Sequence, residues 1–166
     1  MAAFDLLITF VESFILASFI AMAFDLIHNI KPLLLLTVLF TIETTFFNTV
    51  YLSNFLLLFV ETITALLFLY YFFKNIHFFY FFIIFLGIAF IVLSNTLSLY
   101  LFSLFFDLNV NNISSNSILY VCVISLSKVI YFIMCLISLK FLENNKNVLE
   151  LKKGWLFLIY VSITHL

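Results

Sequence analysis

The sequence predicts an all-α, polytopic transmembrane helical bundle, and three observations support this prediction. Of the 166 residues, 66% are apolar and 9% are charged, and the mean hydropathy is +1.31. A soluble domain usually carries about 25% charged residues. The apolar residues form long runs separated by short polar connections. Because a backbone inside lipid must satisfy its own hydrogen bonds, these runs are expected to be helices.

Six apolar segments approach or exceed the roughly 20 residues that cross a bilayer. They are residues 4–24, 33–50, 55–73, 78–106, 118–140 and 155–166, and together they are expected to form one domain, 1–166. The first five are full spans. The sixth reaches only about 18 Å at 1.5 Å per residue. We therefore expect an incomplete sixth span, and we favour truncation of a longer protein over a short membrane hairpin.

The distribution of lysines predicts the orientation. The first, third and fifth connections contain Lys31, Lys74, Lys140, Lys146, Lys152 and Lys153. The second connection (51–54) and the fourth (107–117) contain none. The positive-inside rule then places the N-terminus outside a cell membrane that the chain crosses several times. The net charge of −1 gives no indication of nucleic-acid binding.

Four charged residues are predicted to lie deep inside the spans, and they are candidates for a buried polar cluster: Glu12, Glu43, Glu61 and Lys128. Each is roughly 9–15 Å from the nearer end of its span. Lys128 is expected to neutralise one glutamate, and the other two are expected to stay protonated because a charge in lipid is costly. One interpretation is a ligand-responsive or ion-coupled core. The other is structural, with polar side chains that join helices.

Small and polar residues on two segments are typical of close helix packing. Ser13, Ala17 and Ala21 recur at every fourth position of the first segment. The fourth segment carries a similar face with Gly87, Ser94, Asn95 and Ser98.

The sequence lacks the residue patterns typical of catalytic, metal or cofactor sites. His28, His77 and His165 have no second ligand at metal-binding spacing. Cys122 and Cys135 are too far apart on one helix to bridge, and we expect them to be buried thiols. We therefore predict no enzyme active site, no metal and no cofactor in this chain.

The loops carry a family resemblance. Leu139-Lys140-Phe141-Leu142 is followed by Asn- and Lys-rich residues and by the stretch from Leu149 to Trp155, with Gly154-Trp155 at its end. Together with the short basic segment Lys74-Asn75-Ile76-His77, this pattern resembles the N-terminal sensor domain of Agr-type peptide-pheromone histidine kinases of Gram-positive bacteria. The resemblance rests on hydropathy, topology and loop character along the whole chain.

This resemblance implies a receptor that binds a secreted peptide at its outer face and signals to a cytoplasmic kinase module as part of a two-component system for quorum sensing. The present chain departs from the family because the kinase motifs are missing. It is expected to act as a sensor without catalytic output, as a homodimer or paired with a full-length receptor. The predicted ligand-binding residues lie at the outer connections: Tyr51, Asn54, Tyr100, Asp107 and Asn109.

Two other functions remain open. The chain is alternatively a small transporter or channel component that uses the Glu/Lys cluster as an ion relay. It is otherwise an accessory or immunity-type membrane protein that acts through a partner.

Overall fold

The computed structural model describes residues 2–24, 26, 30–50, 53–73, 78–106 and 117–144, which form five α-helices and no strand. The helices are α1 (Ala2–Ala23), α2 (Ile30–Val50), α3 (Asn54–Phe73), α4 (Phe78–Phe106) and α5 (Ser117–Asn144). The prediction of an all-α protein is confirmed for these residues. All five helices are long and apolar enough to span a membrane. The predicted sixth span, 155–166, lies outside the described residues.

The helix ends differ from the predicted spans by a few residues, for local reasons. Helix α2 begins at Ile30, three residues before the predicted span. The helix can include Pro32, because the N–H groups of a first turn have no acceptor within the helix and the N–H that proline lacks is therefore not missed. Ser53 caps α3, with its Oγ accepting a hydrogen bond from the Leu56 N–H at 3.4 Å. Helix α5 continues beyond residue 140, and Leu142 in this extension is buried.

Helix α1 has neighbours on several sides, since it packs against α2, α4 and α5. Helix α3 completes the bundle through contacts with α2 and α4, and α4 also packs against α5. The core that these helices share is apolar, and its fully buried members include Leu16, Phe19, Ile20, Phe40, Leu69, Ile84 and Tyr131.

The small-residue stripe of α1 lies in this core. Ser13, Ala17 and Ala21 are all buried, as predicted, and Ala17 is 0% exposed. On α4, Gly87 lies directly against α1. A Cβ at this position would be 2.9 Å from Leu16 Cδ1 and 2.9 Å from Phe19 Cδ1. The absence of a side chain at Gly87 therefore permits the close approach of α1 and α4.

The outer surface of the bundle is apolar, as expected for helices surrounded by lipid. Large side chains such as Ile42, Leu67 and Ile137 are more than half exposed. Both cysteines are free thiols; Cys135 is buried as expected, but Cys122 is exposed. The prediction that Cys122 is buried was wrong, because that face of α5 turns away from the neighbouring helices.

Candidate functional site

The predicted polar residues form two groups of contacts. The first group joins α1 to α5 and α4. Lys128 Nζ lies 2.5 Å from Glu12 Oε2 in a salt bridge, with side-chain exposures of 11% for Lys128 and 22% for Glu12. Lys128 Nζ also donates to Asn95 Oδ1 at 3.5 Å, and Ser127 Oγ donates to the same Asn95 oxygen. Lys128 therefore neutralises Glu12 rather than either of the other two glutamates.

The second group joins α2 to α3 through two crossed hydrogen bonds. Thr64 Oγ1 donates to Glu43 Oε1 at 2.5 Å, and Thr44 Oγ1 donates to Glu61 Oε1 at 3.0 Å. Each helix thus supplies one carboxyl group and one hydroxyl group. Glu61 is only 5% exposed. Glu43 Oε2 is buried without a hydrogen-bond partner among the described residues.

The two groups are neighbours in the bundle. Thr44, which donates to Glu61, lines the same cleft as Glu12 and Lys128. The four predicted residues therefore form one ion pair and one carboxyl–hydroxyl network at a similar level of the bundle.

The ion pair lies in the wall of a cleft with a volume of about 560 Å³. The cleft is bounded by α1, α2, α4 and α5, and most of its lining residues are polar: Asp5, Thr9, Glu12, Thr44, Asn48, Asn95, Ser98, Tyr120, Ser127 and Lys128, with Ile8, Leu99, Val123 and Ile124 as the apolar ones. Pockets for small ligands have volumes of about 300–1,000 Å³. The cleft is therefore large enough for a small molecule or for a few residues of a peptide.

The cleft lies at one end of the bundle. Its lining residues come from the N-terminal halves of α1 and α5 and from the C-terminal halves of α2 and α4. The connections 51–54 and 107–117, which were predicted to be the outer ones, join helices at this same end.

The residues predicted to bind a ligand are only partly described. Tyr51, Asp107 and Asn109 lie outside the described residues, and Asn54 is the first residue of α3. Tyr100 is 61% exposed near the end of α4, but it does not line the cleft, which contacts Ser98 and Leu99 instead. The structure therefore does not bring Tyr100 into the cleft.

Sequence reasoning missed most of the uncharged lining residues. Helical spacing of polar residues could have identified several of them. Asp5, Thr9 and Glu12 fall on one face of α1, and Thr44 and Asn48 are one turn apart on α2. Such polar stripes within apolar helices mark an aqueous cavity or a helix interface.

The described residues contain no group of three or more His, Cys, Asp or Glu side chains that could hold a metal ion. Comparison with protein-family models, curated proteins and solved structures finds no match to this chain.

Proposed function

We propose that this chain is the membrane-embedded, signal-receiving domain of a peptide-responsive two-component sensor histidine kinase. The observation that carries the proposal is the cleft, lined by both polar and apolar side chains, at the end of the bundle where the predicted outer connections begin and end. A receptor for a secreted peptide needs such a cavity facing outward. The resemblance to Agr-type sensor domains supports the same function.

The proposed orientation has the N-terminus and the cleft outside and the kinase module on the cytoplasmic side. Two described lysines support it, since Lys31 is at the start of α2 and Lys140 is near the end of α5. Both lie at the end of the bundle remote from the cleft, and cytoplasmic ends of spans are enriched in lysine.

The signal would pass through the helices that line the cleft. The Lys128–Glu12 salt bridge and the Asn95 contacts join α1, α4 and α5. A ligand that binds one arrangement of these helices better than another shifts the population toward that arrangement. The cytoplasmic end of α5 would then carry the change toward the kinase module.

Peptide capture from spent culture medium of the source cells tests this function. Membrane vesicles containing the protein are incubated with the peptide fraction, washed, and analysed by mass spectrometry for retained peptides. We expect one peptide to be enriched, and its retention to fall at least tenfold in an Asn48→Ala, Asn95→Ala double variant. Retention that is equal with the double variant and the unchanged protein would contradict a ligand site in the cleft.

The residues that the sequence predicts to bind ligand at the outer connections are tested in the same assay. Tyr100→Ala changes an exposed side chain outside the cleft lining, and Asn54→Ala changes the first residue of α3. If the peptide also contacts the outer connections, these variants weaken its retention, as do Tyr51→Ala, Asp107→Ala and Asn109→Ala.

A second candidate function, an ion-coupled transport component, is favoured by the carboxyl–hydroxyl network of α2 and α3. Carboxyl groups that lie within membrane spans often mark ion or proton pathways. In vesicles containing a pH-sensitive dye, a transporter would give a proton flux that Glu61→Gln abolishes. Glu143→Gln is the matched control, because Glu143 is exposed near the end of α5. The absence of any flux above that of empty vesicles would exclude this function.

A further inference from the structure

The charges in the cleft lining do not balance. Among the described residues, the lining contains two carboxylates, those of Asp5 and Glu12, and one ammonium group, that of Lys128. The Lys128 ammonium group is held by Glu12 at 2.5 Å. Asp5 is exposed, and no basic side chain of the described residues pairs with its carboxylate. Within the described part of the chain, the lining therefore carries one uncompensated negative charge, that of Asp5.

An aromatic ring accompanies this charge. Tyr120 of α5 lines the cleft and is close enough to Asp5 for the two groups to interact electrostatically. A carboxylate and an aromatic ring that face one cavity are the groups by which proteins commonly bind ammonium ions. Thr9 and Asn48 add oxygen atoms to the same lining, and Asn48 is exposed.

The position of Asp5 indicates where a ligand would meet this charge. Asp5 is seven residues before Glu12 on α1, so the two carboxylates are about 10 Å apart along the helix. Asp5 is thus near the mouth of the cleft, whereas the ion pair is deeper. A cationic group that enters from the end of the bundle reaches Asp5 and Tyr120 first.

We propose that the mouth of the cleft binds a primary ammonium group, with Asp5 and Tyr120 as its contacts. The ammonium group belongs either to a water-borne ligand, such as a peptide amine, or to an ethanolamine lipid headgroup. This inference rests on the proposed ligand-receiving role of the cleft, but its test requires no peptide.

The test compares two thiol reagents of similar size and opposite charge, the ethylammonium and ethylsulfonate methanethiosulfonates. The reporter is Asn48→Cys, inside the cleft, and the control is Ser53→Cys, exposed at the same end of the bundle but outside the lining. Both cysteine variants are made in a Cys122→Ser background. The Cys122→Ser protein alone, whose remaining cysteine is the buried Cys135, gives the background rate of labelling. Leu99→Cys serves as a second reporter if Asn48→Cys does not fold.

We expect the ratio of ammonium to sulfonate rates to be about tenfold higher for the reporter than for the control, since the unpaired Asp5 carboxylate attracts one reagent and repels the other. Adding Asp5→Asn should reduce the ratio to that of the control. n-Butylammonium chloride should slow the reporter's reaction several-fold more than the same concentration of sodium chloride. Equal ratios in reporter and control, no reaction of the reporter, or no protection by n-butylammonium would overturn the proposal.

Lipid composition distinguishes the two sources of the ammonium group. The labelling is repeated in phosphatidylglycerol vesicles with and without phosphatidylethanolamine. If the ligand is the lipid headgroup, phosphatidylethanolamine lowers the labelling rate of the reporter and leaves that of the control unchanged. If the ligand is water-borne, the reporter is labelled at the same rate in both types of vesicle. Charge-selective labelling without any peptide retained from culture medium would disprove the peptide-sensor function and leave the ammonium site standing.

Discussion

Lys128 and Glu12 illustrate how individual charges are accommodated within an apolar helical bundle. Each would be costly alone in lipid, but they form a salt bridge, and Lys128 has a further contact with Asn95. The pair is partly exposed to the cleft, so its loss is expected to cost less than the 3–5 kcal/mol typical of a fully buried pair.

Lys128→Met should therefore destabilise the protein by about 2 kcal/mol, because it leaves the Glu12 carboxylate unpaired. The assay is thermal unfolding in detergent, in the Cys122→Ser background. Unfolding is monitored by the reaction of Cys135, which is buried in the folded protein, with a fluorogenic maleimide. Such a loss lowers the Tm by several degrees.

Two further variants decide whether the pair itself is responsible. Lys140→Met removes an exposed lysine of the same helix and should change the Tm little. The Glu12→Gln, Lys128→Met double variant should regain most of the lost stability, because no unpaired charge remains. Equal losses for Lys128→Met and Lys140→Met would show that the salt bridge contributes nothing.

At the scale of the elements, contacts between adjacent helices combine apolar packing with a few specific polar links. The α2–α3 contact contains the crossed hydrogen bonds from Thr64 to Glu43 and from Thr44 to Glu61. Hydrogen bonds between membrane helices average about 0.6 kcal/mol. Their contribution to stability is thus small, but they fix the register of α2 against α3.

Thr64→Val should lower stability by roughly 0.5–1 kcal/mol, because it removes the hydroxyl that donates to Glu43. The matched control is Thr62→Val on the same helix, since Thr62 donates only to the Leu58 carbonyl oxygen of its own helix. The same maleimide assay applies to both variants. A larger loss for Thr62→Val than for Thr64→Val would refute an interhelical role for the Thr64 hydroxyl.

The α1–α4 contact depends on shape rather than on polar bonds. A side chain at Gly87 meets Leu16 and Phe19, both fully buried, so these residues have little room to move. Gly87→Val should cost about 2 kcal/mol by overpacking. Leu93→Ala, on an exposed position of the same helix, is expected to change the Tm only slightly. An unchanged Tm in Gly87→Val would mean that α1 and α4 can separate without cost.

At the scale of the whole molecule, the sequence predicts the helices well and the cleft poorly. A long apolar segment in lipid satisfies its backbone hydrogen bonds by forming a helix, so the five described spans could be predicted to within a few residues. Which polar side chains face each other depends on how the helices rotate about their axes, and hydropathy does not determine that rotation. The sequence predicts that Lys128 pairs with a glutamate, but only the structure identifies Glu12 as its partner. The cleft is formed by four helices together, so its full lining could be identified only from the structure.

The orientation of the bundle is a prediction for the whole molecule, because one end contains the cleft and the other contains Lys31 and Lys140. With the N-terminus outside, alkaline phosphatase inserted at Ser53 should be active in a bacterial host, and green fluorescent protein fused after Asn144 should fluoresce in the cytoplasm. Exchanging the two reporters between these positions should abolish both signals, which controls for expression. The reverse pattern would place the cleft in the cytoplasm, where a secreted peptide cannot reach it, and would exclude the proposed sensor function while leaving the fold intact.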